Sequence, residues 1–351
     1  MDWIANYGLF LLETVTVVIA VVVIIAAIGS VATKHKATGK EGVEIIRLNQ
    51  RYDNMATTLK SAALEGKAAK KFKRQHKKEA KKTSKKSETE EPDKKRTFVI
   101  DFHGDLRASA VISLREEITA VLTAATPDDE VVVRLESGGG MVHAYGLAAS
   151  QLMRLRTHKI PLIVTVDKVA ASGGYMMACV ANQIMAAPFA VVGSIGVLSQ
   201  IPNFNRLLKK HDIDFEQFTA GEYKRTVTLF GETTDKDREK LKEELEETHT
   251  LFKSFVQEGR PDLDIDKVAT GEHWFGTRAL ELGLIDQIRT SDDYLLGLRE
   301  SSEILQVKWS IKKPLAEKIS SVLSQITLRS QQSLLTDPIN QEVEPGKHLY
   351  L

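Results

Sequence analysis

Pro161-Leu-Ile-Val-Thr-Val166 is followed, after Asp167 and Lys168, by Val169-Ala-Ala-Ser-Gly-Gly-Tyr175, and that by the small-residue run Tyr175-Met-Met-Ala-Cys-Val-Ala181. An unbroken apolar run bounded by turn residues reads as a buried strand, and the second run reads as a helix. Ser172 falls at the junction. A serine between a strand end and a helix start, flanked by Ala and Gly, can be approached closely by a substrate backbone. A helix N-terminus also favours negative charge developing beside it. The G-x-S-x-G elbow is absent, because Ala170 stands where its first Gly would be. The bland reading of a serine before two glycines is a helix N-cap.

Working outward, the same alternation recurs. Phe98-Val-Ile-Asp-Phe102 and Glu130-Val-Val-Val-Arg-Leu135 read as strands, the second ending in Ser137-Gly-Gly-Gly140. Between them, Ala110 to Leu122 carries a helical stripe at Leu114, Ile118, Val121 and Leu122, and Tyr145 to Leu155 suits a further helix. Strands alternating with helices predict an α/β layered domain with a largely parallel core. Asp235 to Gln257 predicts a long amphipathic helix with Leu241, Leu245, Phe252 and Phe255 on one side. Ser194 lies in the Gly-rich stretch Val191-Val-Gly-Ser-Ile-Gly-Val197. Ala178 to Leu198 is apolar enough to suggest a membrane span. Asn182, Gln183 and Pro188 interrupt it, and the β-branched run after Pro188 suits a buried strand.

The 351 residues carry a net charge of +1, so bulk electrostatics point to neither nucleic acid nor an acidic substrate. That balance conceals an asymmetry. From Lys67 to Lys86 eleven of twenty residues are Lys or Arg, with Glu79 the only acid, which predicts a solvated tether near anionic headgroups. The single cysteine, Cys179, forms no disulfide within the chain. Leu9 to Ala32 is overwhelmingly apolar. At about 1.5 Å per helical residue it crosses a hydrocarbon core of about 30 Å. A cleaved signal peptide would want a basic start, and Met1 to Tyr7 has no Lys or Arg. The expected organisation is a transmembrane anchor over 9–32, a charged juxtamembrane linker over 33–96, within which 40–66 is helix-compatible, a folded domain over 97–310, and a C-terminal amphipathic helix and tail over 311–351.

Acyl transfer requires a nucleophile, a base and donors aimed at the developing oxyanion. Ser172 supplies the first, and the backbone N–H groups of Gly139 and Gly173 can supply the last. For the base, His103, His143, His158, His211, His249 and His273 are candidates, none in a motif that demands it. A lysine serves if its environment leaves some neutral amine. Lys168 lies four residues before the serine, and Lys224, in Ala220-Gly-Glu-Tyr-Lys-Arg225, lies fifty-two after it. The pattern of residues does not choose between them.

Four segments together resemble the signal peptide peptidase A family of membrane-bound serine–lysine peptidases: Leu135-Glu-Ser-Gly-Gly-Gly-Met-Val142, Ala170-Ala-Ser-Gly-Gly-Tyr175, Gly193-Ser-Ile-Gly-Val197 and Gly221-Glu-Tyr-Lys224. Trp274-Phe-Gly-Thr-Arg-Ala279 with Gly283-Leu-Ile-Asp286 extends the likeness, and the apolar start followed by a charged stretch is similar to the shorter SohB-type members. The resemblance implies a Clp-protease/crotonase-like α/β fold after one N-terminal transmembrane helix. It implies Ser172 as nucleophile, Lys224 as general base, Ser194 as the lysine's hydrogen-bond partner, and Gly139 and Gly173 as the oxyanion hole. The family turn usually reads Ser-Pro-Gly-Gly; here Gly138 replaces the proline, which frees the turn. Glu136 stands where Asp or Asn is often seen.

The expected activity is endopeptidase cleavage through a Ser–Lys dyad and an acyl-enzyme, without cofactor or metal. Substrates would be signal-peptide remnants or membrane and misfolded proteins. A crotonase-type acyl-CoA enzyme, or a non-catalytic membrane scaffold, is the competing expectation. The resemblance further implies a homo-oligomer. Lys34 and Lys36 follow the apolar stretch while no basic residue precedes it, which favours a bacterial inner membrane with the domain on the cytoplasmic side.

Overall fold

Parallel strands buried on both faces form the centre of the molecule. The computed structural model describes residues 41–64 and 95–311, with a few single positions outside them. In chain order the elements are β1 (Glu41–Arg47), α1 (Leu48–Ala62), β2 (Arg96–Gly104), α2 (Val111–Ala124), β3 (Glu130–Ser137), α3 (Val142–Thr157), β4 (Leu162–Val166), β5 (Val169–Ala171), α4 (Gly173–Ala178), β6 (Gln183–Ala186) and β7 (Val191–Gly193). Then come α5 (Asn205–Lys210), α6 (Asp235–Gly259), α7 (Ile265–Val268), β8 (His273–Phe275), α8 (Gly276–Glu281), β9 (Gln287–Ile288), α9 (Ser291–Leu298) and β10 (Glu303–Ile311). The main sheet runs β1-β10-β2-β3-β4-β6-β9. From β10 to β9 its neighbours are parallel.

Alternation along the strands separates two layers. Phe98, Ile100 and Phe102 of β2, Val131, Val133 and Leu135 of β3, and Leu162, Val164 and Val166 of β4 face α2, α3 and α4 in the larger core. Val99, Val132, Ile163, Met185 and Ile304 face the other way, against Leu48 and Tyr52 of α1 and Leu295 of α9. All five residues of β4 are buried, as a central parallel strand covered by helices requires. The long helix α6 starts at a capping box in which Thr234 and Asp237 satisfy each other's backbone N–H groups.

The expected strands and helices stand within a few residues of where the pattern put them. The apolar stretch from Ala178 to Leu198 contains β6 and β7. Among the described residues no helix is long and apolar enough to cross a membrane. The expected anchor over 9–32 and the C-terminal segment over 311–351 lie almost entirely outside the described residues. Residues 40–66 are helical only in part: Glu41–Arg47 is an edge strand, and α1 packs on the sheet. Asn49 holds α1 there, its Oδ1 accepting from Ile304 N–H at 2.7 Å and its Nδ2 donating to the Ser302 carbonyl at 2.9 Å. Val43–Trp309 accordingly forms one compact unit.

β5 positions the site. The Val131–Arg134 part of β3 pairs with β4, but its end, Ser137, pairs with Ala170 of β5. β5 continues into a small spur through β7 and antiparallel β8. The chain therefore leaves the main sheet between β4 and β5 and delivers Ser172 beside the glycine turn after β3.

Candidate active site

Ser172 has φ +53° and ψ −119°, a conformation that L-residues with a Cβ rarely adopt. Its backbone is pinned on both sides. The N–H donates to the Gly193 carbonyl at 2.8 Å, and the carbonyl accepts from Met176 N–H at 3.0 Å. The hydroxyl does not cap α4, so the N-cap reading of this serine does not hold. It opens instead on a cavity of about 390 Å³.

The glycines explain how two turns meet there. Gly139 has φ +89°, and a Cβ on it would lie 2.7 Å from Gly173 N and 2.8 Å from Ser172 Cβ. A Cβ on Gly173 would lie 2.4 Å from Tyr145 Cγ. No larger residue fits at either position without displacing its neighbour. The structure thus brings Gly139, Ser172 and Gly173 together, as the sequence suggests. The direction of the Gly139 N–H differs from the expectation: it donates to Ser137 Oγ at 3.1 Å. Gly140 lines the cavity beside Ser172 and Gly173, and among the described residues its N–H and that of Gly173 have no acceptor. Among the described residues the Gly139 N–H is thus already bonded, and those of Gly140 and Gly173 are not.

Ser194 follows β7 with φ +52°, and its N–H donates to the Glu272 carbonyl at 2.6 Å. The parallel pairing ends at Ala171 with Gly193, the residues just before Ser172 and Ser194. Lys224 is placed differently. It is exposed, its own N–H donates to the Gly221 carbonyl at 3.2 Å, and its ammonium bonds neither Ser172 nor Ser194. Its neighbours hold to α6: Glu222 accepts from Lys236, and the Lys236 and Lys240 ammoniums lie 5.6 Å and 5.3 Å from the Tyr223 ring centre.

The competing bases are placed elsewhere. Lys168 donates to both Glu136 oxygens at 3.0 Å and 3.1 Å, and His103 Nδ1 lies 3.7 Å from the same carboxylate. These three line a second, charged cavity of about 320 Å³ with Asp101, Arg134 and Asp167, apart from Ser172. His158 Nδ1 lies 2.8 Å from the Arg154 carbonyl, and His249 Nε2 lies 3.2 Å from the Ile195 carbonyl. Facing a carbonyl, which only accepts, each of these nitrogens is a donor, and neither histidine lines the Ser172 cavity. His211 and His273 are exposed and line neither cavity. Among the described histidines, His143 alone lines the Ser172 cavity. Cys179 is no rival nucleophile: burial pushes its thiol up to about 12, so it stays protonated. Among the described residues no three His, Cys, Asp or Glu side chains group to hold a metal ion.

The rest of the wall escaped the reading of the sequence. Val142 and Gly146 of α3, Met176 of α4, Val197, and Leu251, Phe252 and Phe255 of α6 make it largely apolar. The Phe252 and Phe255 stripe was a signal for the helix, but nothing in it said which cavity the stripe would border.

Two family models match the chain: the N-terminal model of peptidase family S49 over residues 2–152 and the peptidase family S49 model over residues 154–305. A Haemophilus influenzae protein described as a probable protease SohB is 51% identical over 325 residues, covering 90% of this chain and 92% of the relative. A Buchnera aphidicola protein with the same description is 50% identical over 305 residues, covering 85% of this chain and 100% of the relative. A solved structure of a mutant 1510-N membrane-bound stomatin-specific protease, in complex with a substrate peptide, aligns with TM-score 0.41 and 14% identity. It covers 66% of this chain and 100% of that one. Matched by both models and sharing half its residues with relatives over most of their length, the chain belongs to peptidase family S49 and is a serine peptidase.

Proposed function

We propose that the chain is a membrane-anchored endopeptidase in which Ser172 attacks the scissile carbonyl and Lys224, as neutral amine, takes its proton. The oxyanion receives the Gly140 and Gly173 N–H groups, the lysine's proton passes to the leaving amine, and water hydrolyses the acyl-enzyme. The observation that carries this reading is the strained, uncapped Ser172 on an apolar cavity lined also by Gly140 and Gly173. Ser194, one register step from Ser172, would hold the lysine when the exposed segment carrying Lys224 closes on the site.

The cavity wall selects an apolar side chain next to the scissile bond, which suits signal-peptide remnants and membrane proteins as substrates. The apolar stretch over 9–32 would anchor the chain in a bacterial inner membrane, and the lysines after it favour the cytoplasmic side. Exposed Phe204, Phe218 and Phe230 in the segment bearing Lys224 suit contact with another copy of the chain in a homo-oligomer.

A fluorophosphonate probe tests the nucleophile. Labelling of the full chain lost in Ser172→Ala supports it, and labelling that survives removes it. In spheroplasts, digestion of the Ser172 domain by added protease would place that domain outside.

A further inference from the structure

Ser137 and Tyr145 are buried and lie outside the cavity, yet they hold the glycine turn that borders it. Their hydroxyl oxygens are 2.6 Å apart. Tyr145 Oη is also 2.8 Å from the Asp105 carbonyl, which only accepts, so the phenolic proton points there. The Ser137 hydroxyl must then donate to Tyr145, and Ser137 Oγ accepts from the Gly139 N–H at 3.1 Å. The bonds run one way, from Gly139 through Ser137 and Tyr145 to Asp105. The space around them is cut to fit. A Cβ on Gly104 would lie 2.4 Å from both hydroxyl oxygens, and one on Gly174 would lie 2.5 Å from the Ser137 carbonyl. The Tyr145 ring itself lies against Gly173. One hydrogen-bonded unit therefore touches both turns that border Ser172. Burial also raises the Tyr145 phenol above its usual pKa, so it remains a donor across the working range.

We propose that Ser137 and Tyr145 are positioning residues for the oxyanion turn. By holding the Gly139 N–H away from the cavity, they leave the next N–H, that of Gly140, facing the carbonyl that Ser172 attacks. A proline at 138 would stiffen the turn by fixing φ. With Gly138 in its place, the buried hydroxyl chain supplies the stiffness. The proposal rests on the reading of Ser172 as nucleophile and of Gly140 and Gly173 as donors.

The test is a double-mutant cycle in the full-length protein with Ser137→Ala, Tyr145→Phe and both together. Each is measured for cleavage of one peptide, for binding of a peptidyl aldehyde of the same sequence, and for binding of the matching peptide amide. The aldehyde adduct places its oxygen where the oxyanion forms, whereas the amide reports ground-state binding. Each single variant should lower kcat by roughly tenfold, less than the roughly 100-fold of deleting a donor outright. KM and amide affinity should stay within about twofold while aldehyde affinity falls with kcat. The double variant should be no worse than the poorer single, because the two hydroxyls act as one chain. Unchanged aldehyde affinity, losses that multiply, or an equal loss of amide binding would each overturn the proposal. Should Ser137→Ala fail to fold, Ser137→Cys keeps a donor and an acceptor and is expected to fall between it and wild type. Aldehyde binding that does not depend on Ser172 in otherwise wild-type protein would remove the underlying reading, and the proposal with it. Dependence on Ser172 with variants that bind like wild type removes the proposal alone.

Discussion

Ser172 and Lys224 are assigned to one reaction, but the fold treats them in opposite ways. Ser172 is fixed by backbone bonds to Gly193 and Met176, and the glycines beside it leave no slack. Lys224 sits on an exposed segment whose neighbours hold to α6 through surface ion pairs and ring contacts. Exposed pairs of that kind contribute little to stability. On the proposed reading, the nucleophile and its donors are built into the core in advance, and the base would come from the surface. If the proposed dyad holds, the serine would stay unactivated until that segment closes, a kind of step that gates many enzymes.

The sharpest break in that comparison is to remove each partner in turn. Ser172→Ala should lower kcat/KM by at least roughly 1,000-fold and abolish fluorophosphonate labelling. Lys224→Ala should lower cleavage to a comparable degree with an unchanged melting temperature, because an exposed side chain without hydrogen bonds is lost. A melting temperature lowered as much by Lys224→Ala as by a core change would show that the lysine is not held at the surface.

The rigid half can be probed by packing. Gly173→Ala drives a methyl into Tyr145 and should destabilise the domain by about 1–3 kcal/mol, the usual cost of overpacking a core. Gly138→Ala, where a Cβ meets nothing within 4 Å, should leave denaturant stability close to wild type. If both variants unfold alike, the difference in packing between the two glycines is not real.

The pH profile sharpens the surface half. A lysine accepts a proton only when neutral, so kcat/KM should rise with pH across the neutral-to-alkaline range. His143 is the one described histidine on the cavity, so the same profile should persist in His143→Ala. Its acid limb disappearing in that variant would transfer the base to the histidine. The smallest effects are expected at the second cavity. Lys168→Ala and His103→Ala should each change kcat/KM by less than about twofold, as surface changes away from the site do. A large loss in Lys168→Ala with Lys224→Ala active would reverse the assignment of the base.

Much of this was legible in the residues themselves. The alternation in β2 and β3, the apolar run of β4 and the stripes of α2 and α6 are local patterns, and local patterns fix which residues face a core. The glycines at 139 and 173 also announced a close approach of two turns, since only a residue without a Cβ permits one. The resemblance of the motifs pointed to a serine–lysine peptidase, and the matches with the family and its relatives support the peptidase.

Other facts depend on partners far apart in the chain, which periodicity cannot register. Asn49 bonds to Ile304, so a segment read as juxtamembrane sequence holds a strand and a helix packed on the sheet. Ser137 leads β3 away from β4 onto β5, which decides that Ser172 opens on the helix-covered layer while Lys168 and His103 gather on Glu136. Closer in the chain, Ser137 Oγ accepts from the Gly139 N–H, and Gly140 lines the cavity. A backbone N–H carries no mark of its acceptor in the sequence. Only the folded arrangement, which sets the competing acceptors at measurable distances, decides which glycine N–H is bonded and which is not.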